Sequence, residues 1–136
     1  MIELINISKS YPTNDLYSEL NLRLNAGDKV GLVGRNGTGK STLFKLILGE
    51  EHPDSGDIAF PKGYKIGALK QYFNFTEKTL IEETALALSE DDKYDIYKAE
   101  KILFGLGFTE SDLEKAPKSF SGGYQIRINL AKLLLT

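Results

Sequence analysis

The chain has 136 residues and a mass of 15.1 kDa, which is the size of one ordinary domain. Its formal net charge of −2 is too close to neutral for broad electrostatic binding of nucleic acid. Its 41% hydrophobic and 26% charged residues exclude wholesale disorder, and the absence of cysteine excludes disulfides and thiol chemistry. No apolar run approaches the ~18 residues of a membrane span and no secretory leader is visible, so we expect a cytoplasmic protein.

Short strands and one helix are predicted in the first half of the chain. Leucines alternate with polar residues over 20–25, the pattern of a half-buried strand, and residues 29–33 have the apolar character of a buried strand. Helical apolar spacing over 41–48, followed by Gly49, predicts a helix with a glycine at its C-terminal end.

Turn residues dominate the next segment, 50–57. Two further strands, 58–60 and 65–69, are predicted on either side of a Pro-Lys-Gly turn at 61–63. The only histidine, His52, falls within 50–57, and we interpret it as a solvated turn residue rather than a catalytic group.

Helices are predicted in the second half. The tetrapeptides 79–82 (Thr-Leu-Ile-Glu) and 111–114 (Ser-Asp-Leu-Glu) have the form of a capping box, and an apolar stripe over 96–106 ends at a glycine. Residues 77–100 carry eight acids against three bases, which is typical of a solvated helical face, with an acidic binding surface as the alternative. Apolar spacing after Gly123 predicts a last helix.

A glycine-rich motif stands between a predicted strand and a predicted helix. Residues 34–41 (Gly-Arg-Asn-Gly-Thr-Gly-Lys-Ser) fit the pattern G-x-x-x-x-G-K-[ST] in full. Glycines let backbone N–H groups turn inward around phosphates, and the helix N-terminus adds the positive end of its dipole. Lys40 would reach the β- and γ-phosphates of a nucleotide, the Ser41 hydroxyl would bind Mg²⁺, and Thr42 would bond the α-phosphate. The alternative is a strand-to-helix turn without a ligand.

A second glycine pair, Ser121-Gly122-Gly123, stands at the start of the last predicted helix. Its hydroxyl, bare N–H groups and helix dipole suit another anion, although alone it reads as an ordinary N-cap. Together with residues 34–42, which look like a Walker A loop, it makes the sequence resemble the ATP-binding cassette (ABC) ATPases nearly end to end. In this resemblance the second glycine pair looks like the core of the signature motif.

Two single residues stand at positions that this family uses. Gln71 sits where ABC ATPases have their Q-loop glutamine, and Tyr11 sits where they have the aromatic residue that stacks on adenine. Alone, Tyr11 is equally a half-buried strand aromatic, and Gln71 carries no signal. The resemblance thus implies ATP and Mg²⁺ as ligands. The implied nucleotide-binding residues are Tyr11, Gly34, Asn36, Gly37, Thr38, Gly39, Lys40, Ser41, Thr42 and Gln71; those for magnesium are Ser41 and Gln71; those for the ATP of a second cassette are Ser121, Gly122 and Gly123.

The implied fold is an α/β P-loop NTPase of the ABC ATPase type, with an antiparallel β subdomain, part of a parallel core sheet and a helical subdomain. Residues 1–75 would form the β-rich ATP-binding core with the P-loop, 76–120 the helical subdomain and 121–136 the signature helix. The family's Walker B strand and switch histidine have no counterpart within these residues. We therefore expect an incomplete cassette with no catalytic residue, weak ATP binding and near-background hydrolysis, in which 29–33 lacks strand neighbours.

The residues around both glycine motifs are most similar to the first cassette of ABC-F proteins, which carry two cassettes in one soluble chain and act on ribosomes. Phe120, Tyr124 and the Leu-Ala-Lys run at 130–132 favour that subfamily over transporter cassettes. The implied function is ATP binding, and hydrolysis in the complete protein, by a ribosome-associated translation factor. The alternatives are a nucleotide-binding subunit of an ABC transporter and a non-hydrolysing nucleotide-binding fragment. The sequence does not separate ATP from GTP.

Overall fold

The structure is a computed structural model that describes residues 1–35, 38–70 and 72–136. It divides into two compact units, Met1–Ile66 and Gly67–Thr136. The first unit contains strands β1 (Ile2–Tyr11), β2 (Asn14–Leu24) and β3 (Ser55–Ala59) and helix α1 (Lys40–Leu48). The second unit contains helices α2 (Leu80–Ala85), α3 (Ile96–Gly105) and α4 (Gly122–Leu135). Among the described residues, every helix is too short or too polar to span a lipid bilayer.

An antiparallel sheet in the order β2-β1-β3 frames the first unit. The alternation of buried side chains along β1 shifts at Asn6, where φ is +49° and the register with β2 is irregular. This shift lets Ile7 follow Leu4 into the core although the two are three positions apart. Strand β1 and helix α1 share a buried apolar cluster of Ile2, Leu4, Ile7, Leu43 and Leu46.

Several predicted elements of the first unit are confirmed. The strand over 20–25 is the second half of β2, and the helix over 41–48 is α1. Gly49 ends α1 in the left-handed conformation with φ +76°, and its N–H donates to the Leu46 carbonyl at 3.2 Å. Strand β3 begins at Ser55, earlier than the sequence predicts.

Two predicted strands, 29–33 and 65–69, are not strands in the structure. Val30 and Val33 are 64% and 94% exposed, so the apolar run that predicts a buried strand is not buried here. A strand is held by hydrogen bonds to its neighbours, and a parallel strand also needs cover on both faces. Neither segment has a strand partner among the described residues, so the parallel part of the predicted sheet is not formed within them.

The helices of the second unit surround one apolar core. The predicted start of α2 is confirmed, since the Thr79 side chain accepts a hydrogen bond from the Glu82 N–H at 3.3 Å. Helix α3 ends as predicted just before Gly107, whose φ is +95°. The buried residues of this core are Phe75, Leu80, Leu103, Phe108, Leu113, Ile128 and Ala131.

The capping box predicted at 111–114 is wrong. Asp112 Oδ2 accepts a hydrogen bond from the Thr109 N–H at 2.9 Å, so the cap begins two residues before Ser111. It opens a single 3₁₀ turn, Glu110–Asp112, rather than an α-helix. The Asp112 carboxylate thus provides an acceptor for the Thr109 N–H. A capping box at 111–114 would not include this N–H.

One acid of the predicted solvated face, Glu83, is fully buried. Its Oε1 lies 3.1 Å from Lys132 Nζ on α4. Its Oε2 accepts hydrogen bonds from the N–H groups of Glu77 at 3.0 Å and Thr76 at 3.3 Å. A carboxylate gives up its water only where such partners replace it. The interpretation of 77–100 as a solvated face is therefore wrong at Glu83, which joins α2 to α4.

Candidate nucleotide-binding site

The N-terminus of α1 leaves several backbone donors available. The first bond of its ladder runs from the Leu43 N–H to the Gly39 carbonyl at 2.9 Å. The N–H groups of Lys40, Ser41 and Thr42 therefore have no acceptor within the helix, as is general for a first turn. Such a helix end attracts anions because its free N–H groups and its dipole act in the same direction.

Gly39 caps this helix in a conformation that favours glycine. Its φ is +93°, in the left-handed region. A Cβ placed there would lie 2.7 Å from the Tyr17 hydroxyl oxygen and 3.0 Å from the ring carbon Cζ. The same Tyr17 hydroxyl donates a hydrogen bond to the Gly39 carbonyl. The glycine at this position thus serves both the turn and the close approach of Tyr17.

The described part of the glycine-rich loop folds back on itself. Thr38 donates from its N–H to the Arg35 carbonyl at 3.3 Å and from its hydroxyl to the same oxygen at 2.6 Å. The Lys40 ammonium donates to the Gly34 carbonyl across the loop. The Thr38 amide is therefore already engaged in this conformation, and the Lys40 ammonium uses one of its three donors on Gly34. Asn36 and Gly37, also predicted to bind nucleotide, lie outside the described residues.

A cavity of about 560 Å³ opens at this helix end. Its volume lies within the ~300–1,000 Å³ of small-molecule sites. It brings Tyr11 together with the start of α1, two parts of the predicted site that are far apart in sequence. It also adds residues of the β1–β2 hairpin, which carry no motif and which sequence reasoning missed. The lining residues are Tyr11, Thr13, Asn14, Leu16, Gly39, Lys40, Ser41 and Thr42.

Tyr11 stands at the end of β1 and is 38% exposed. The Lys9 ammonium lies 5.4 Å from the centroid of its ring. Lys9 is itself held by the Glu51 carboxylate at 3.4 Å and by the His52 carbonyl at 2.9 Å. Such a cation against the face of a tyrosine is attracted by the ring electrons and helps to fix the ring. The structure thus supports an ordered aromatic surface at the mouth of the cavity.

The second glycine motif lies in the second unit, at the N-terminus of α4. Ser121 is the N-cap, and its hydroxyl accepts from the Tyr124 N–H at 3.5 Å. Gly122 and Gly123 form the exposed first turn. The Tyr124 ring packs edge-on against buried Phe108 at 5.4 Å between centroids, which anchors this turn on the core.

A magnesium ion would find few protein ligands here. The described residues contain no cluster of three or more acidic, histidine or cysteine side chains that could hold a metal. Mg²⁺ is commonly held by one or two protein oxygens together with phosphate oxygens and water, so the exposed Ser41 hydroxyl fits as a single ligand. The other predicted ligand, Gln71, lies outside the described residues.

Gly39→Ala is expected to destabilise the chain by about 1–3 kcal/mol, because alanine is strained at this φ and its Cβ would press on Tyr17. Gly49→Ala is the matched control, since its φ of +76° brings similar strain while no atom lies within 4 Å of the added Cβ. Urea unfolding of both variants would separate the two effects. Equal losses would mean that the contact with Tyr17 contributes nothing.

The sequence of this chain is similar to a known protein family and to several known proteins. A family model described as "ABC transporter" matches residues 17–136. ABC transporter F family member 5 of Arabidopsis thaliana is 31% identical in an alignment 178 residues long, and this alignment covers 98% of this chain and 26% of the relative. The energy-dependent translational throttle protein EttA of Escherichia coli (strain K12) is 34% identical over 137 residues, covering 98% of this chain and 25% of the relative. The chain spans about a quarter of the length of these curated relatives.

The chain is also similar to solved structures of ABC transporter proteins. The dimeric structure of MJ0796, a bacterial ABC transporter cassette, matches with a TM-score of 0.73 at 26% identity, over 99% of this chain and 69% of that chain. The structure of cbiO1 from Clostridium perfringens, part of the ABC transporter complex cbiONQ, matches with a TM-score of 0.75 at 20% identity, over 98% of this chain and 61% of that chain. The second likeness concerns the fold alone.

Proposed function

The chain belongs to the ABC transporter family and has the fold of an ABC ATPase nucleotide-binding domain, and from this we propose that it binds Mg-ATP in the cavity at the start of α1. The observation that carries the proposal is that one cavity joins Tyr11 to the free backbone donors of Lys40, Ser41 and Thr42. A flat aromatic surface and an anion-binding helix end are what a nucleotide needs at its two ends.

Each residue of the cavity has a distinct role in this proposal. The adenine stacks on Tyr11, and the triphosphate lies against the start of α1. Lys40 exchanges the Gly34 carbonyl for the β- and γ-phosphates, and Thr42 bonds the α-phosphate. Gly34, Asn36, Gly37, Thr38 and Gly39 form the loop around the phosphates. Ser41 and Gln71 would hold Mg²⁺, which when bound neutralises part of the phosphate charge.

In a longer protein of the ABC-F kind, the second glycine motif would contact a nucleotide other than the one in the cavity at the start of α1. We propose that Ser121, Gly122 and Gly123 contact the ATP held by a second cassette. The exposed glycines and the capping Ser121 at the start of α4 support this, because they offer N–H groups and a hydroxyl at a helix end. The likeness to a dimeric cassette supports the pairing of two such domains.

The proposed setting is a cytoplasmic, ribosome-associated ATPase that acts as a translation factor. The similarity to EttA, whose name describes a translational throttle, and to an ABC transporter F family member supports it. Binding of ATP would bring the two cassettes together, and hydrolysis in the complete protein would part them. A nucleotide-binding subunit of a transporter is the second candidate, favoured by the likeness to MJ0796.

The 136-residue chain is expected to release phosphate from ATP at near-background rates, because no acidic pair follows the signature helix within it. A phosphate-release assay with and without Mg²⁺ measures this directly. Mg-dependent turnover that Lys40→Ala abolishes would contradict the expectation.

A longer protein that contains this chain should co-sediment with ribosomes more strongly in the presence of a non-hydrolysable ATP analogue than without nucleotide. Equal sedimentation under the two conditions would favour the transporter subunit instead.

A further inference from the structure

Tyr17 is a polar aromatic residue that the nucleotide-binding motif does not include. It lies on β2, opposite Lys9 of β1, and its partly buried ring packs against the apolar cluster of the first unit. Its hydroxyl donates to the Gly39 carbonyl, at the residue that immediately precedes Lys40. A side chain in the sheet therefore contacts the backbone at the start of α1.

Two other features point to the same contact. A Cβ on Gly39 would lie 2.7 Å from the Tyr17 hydroxyl, so the approach leaves no room for a side chain. A tyrosine hydroxyl is protonated near neutral pH, and burial raises the pKa of Tyr17 further above its usual value, so the hydroxyl is a donor there. The Gly39 carbonyl also accepts from the Leu43 N–H, so the two donors use both of its lone pairs.

The orientation of this carbonyl decides the direction of a neighbouring donor. The Gly39 C=O and the Lys40 N–H belong to one planar trans peptide, in which they point in opposite directions. A hydroxyl that holds the carbonyl on the side of Tyr17 therefore holds the Lys40 N–H on the opposite side. Without it, the Leu43 N–H at 2.9 Å is the remaining donor to this carbonyl, and the peptide next to the left-handed Gly39 is held less firmly.

We propose that Tyr17 is a positioning residue of the nucleotide site, which aims the Lys40 N–H at the phosphates by holding the Gly39–Lys40 peptide. The inference rests on the proposed function, because it concerns the same cavity. Tyr17 touches no nucleotide atom in this proposal and acts only through the peptide that it holds. Loss of the Tyr17 hydroxyl is therefore expected to change the affinity for Mg-ATP and the environment of the Lys40 amide.

The test is Tyr17→Phe, which keeps the ring and removes the hydroxyl. We expect Mg-ATP to bind about three- to tenfold more weakly by calorimetry, the loss of one hydrogen bond. In ¹⁵N–¹H spectra, the shift that Mg-ATP induces at the Lys40 amide should shrink. Tyr64→Phe is the matched control, since Tyr64 is an exposed tyrosine of the same unit, outside the cavity, and its affinity should equal that of the unmodified chain.

The possible outcomes are distinct. Unchanged affinity and an unchanged Lys40 shift in Tyr17→Phe would overturn the inference while leaving the proposed function intact, provided that Lys40→Ala still weakens binding. A lower melting temperature with unchanged affinity would also overturn it, since that is a purely structural role. Failure of the unmodified chain to bind Mg-ATP would instead refute the proposed function, and the inference with it.

Discussion

Replacing Lys40 with alanine is expected to weaken Mg-ATP binding by about 10- to 100-fold, because it removes a charge-assisted hydrogen bond worth roughly 1.5–3 kcal/mol. The residue stands where the free N–H groups of α1 and the cavity meet, so the ammonium is the one full positive charge among the lining residues of that cavity. In the structure it donates to the Gly34 carbonyl, which is a neutral acceptor that a phosphate would outcompete. Isothermal titration with Mg-ATP measures the change.

Lys45→Ala is the control for this experiment. It removes the same charge from the last turn of the same helix, outside the cavity. Its effect on affinity should be small, since water and salt screen the interaction between the ligand and an exposed charge at the far end of α1. Equal affinity of Lys40→Ala and the unmodified chain would remove the assignment of this cavity to nucleotide.

Glu83→Ala is expected to destabilise the second unit by about 3–5 kcal/mol, the usual cost of leaving one member of a buried ion pair without its partner. The change leaves Lys132 unpaired and removes the acceptor of two N–H groups, those of Thr76 and Glu77. The Lys132 side chain is 25% exposed and can regain some water, which favours the lower end of this range. Urea unfolding followed by circular dichroism measures the loss.

Three further variants make the result specific to Glu83. Glu82→Ala removes an exposed neighbouring acid of the same helix and should cost well under the loss at Glu83. Glu83→Gln keeps an acceptor for the backbone and should be intermediate. A double variant, Glu83→Leu with Lys132→Met, should recover much of the stability, since apolar pairs often replace buried ion pairs at little cost. A Glu83→Ala chain as stable as Glu82→Ala would show that the buried pair contributes nothing.

Local patterns predict local features of this chain well. The helix start at Thr79 and the glycines at 49 and 107 depend on residues within one turn of them, so the motif and the geometry agree. The first turn of α1 is of this kind too, because the free donors of Lys40 to Thr42 follow from the position of the helix start alone. Tyr11 reaches the same cavity only through the folding of β1 against α1, and its position in sequence suggested it only by resemblance.

Features that depend on distant partners could not be read in this way. The apolar run at 29–33 has the composition of a buried strand, but burial and pairing come from neighbours that a composition does not contain. Glu83 is one acid in an acid-rich stretch, and its burial depends in part on the approach of Lys132, 49 positions later. The same holds for Tyr17, whose hydroxyl meets Gly39 across 22 positions. Backbone periodicity and caps are encoded by near neighbours, whereas the partner of a buried charge or hydroxyl is chosen by packing, which brings together residues that the linear order keeps apart.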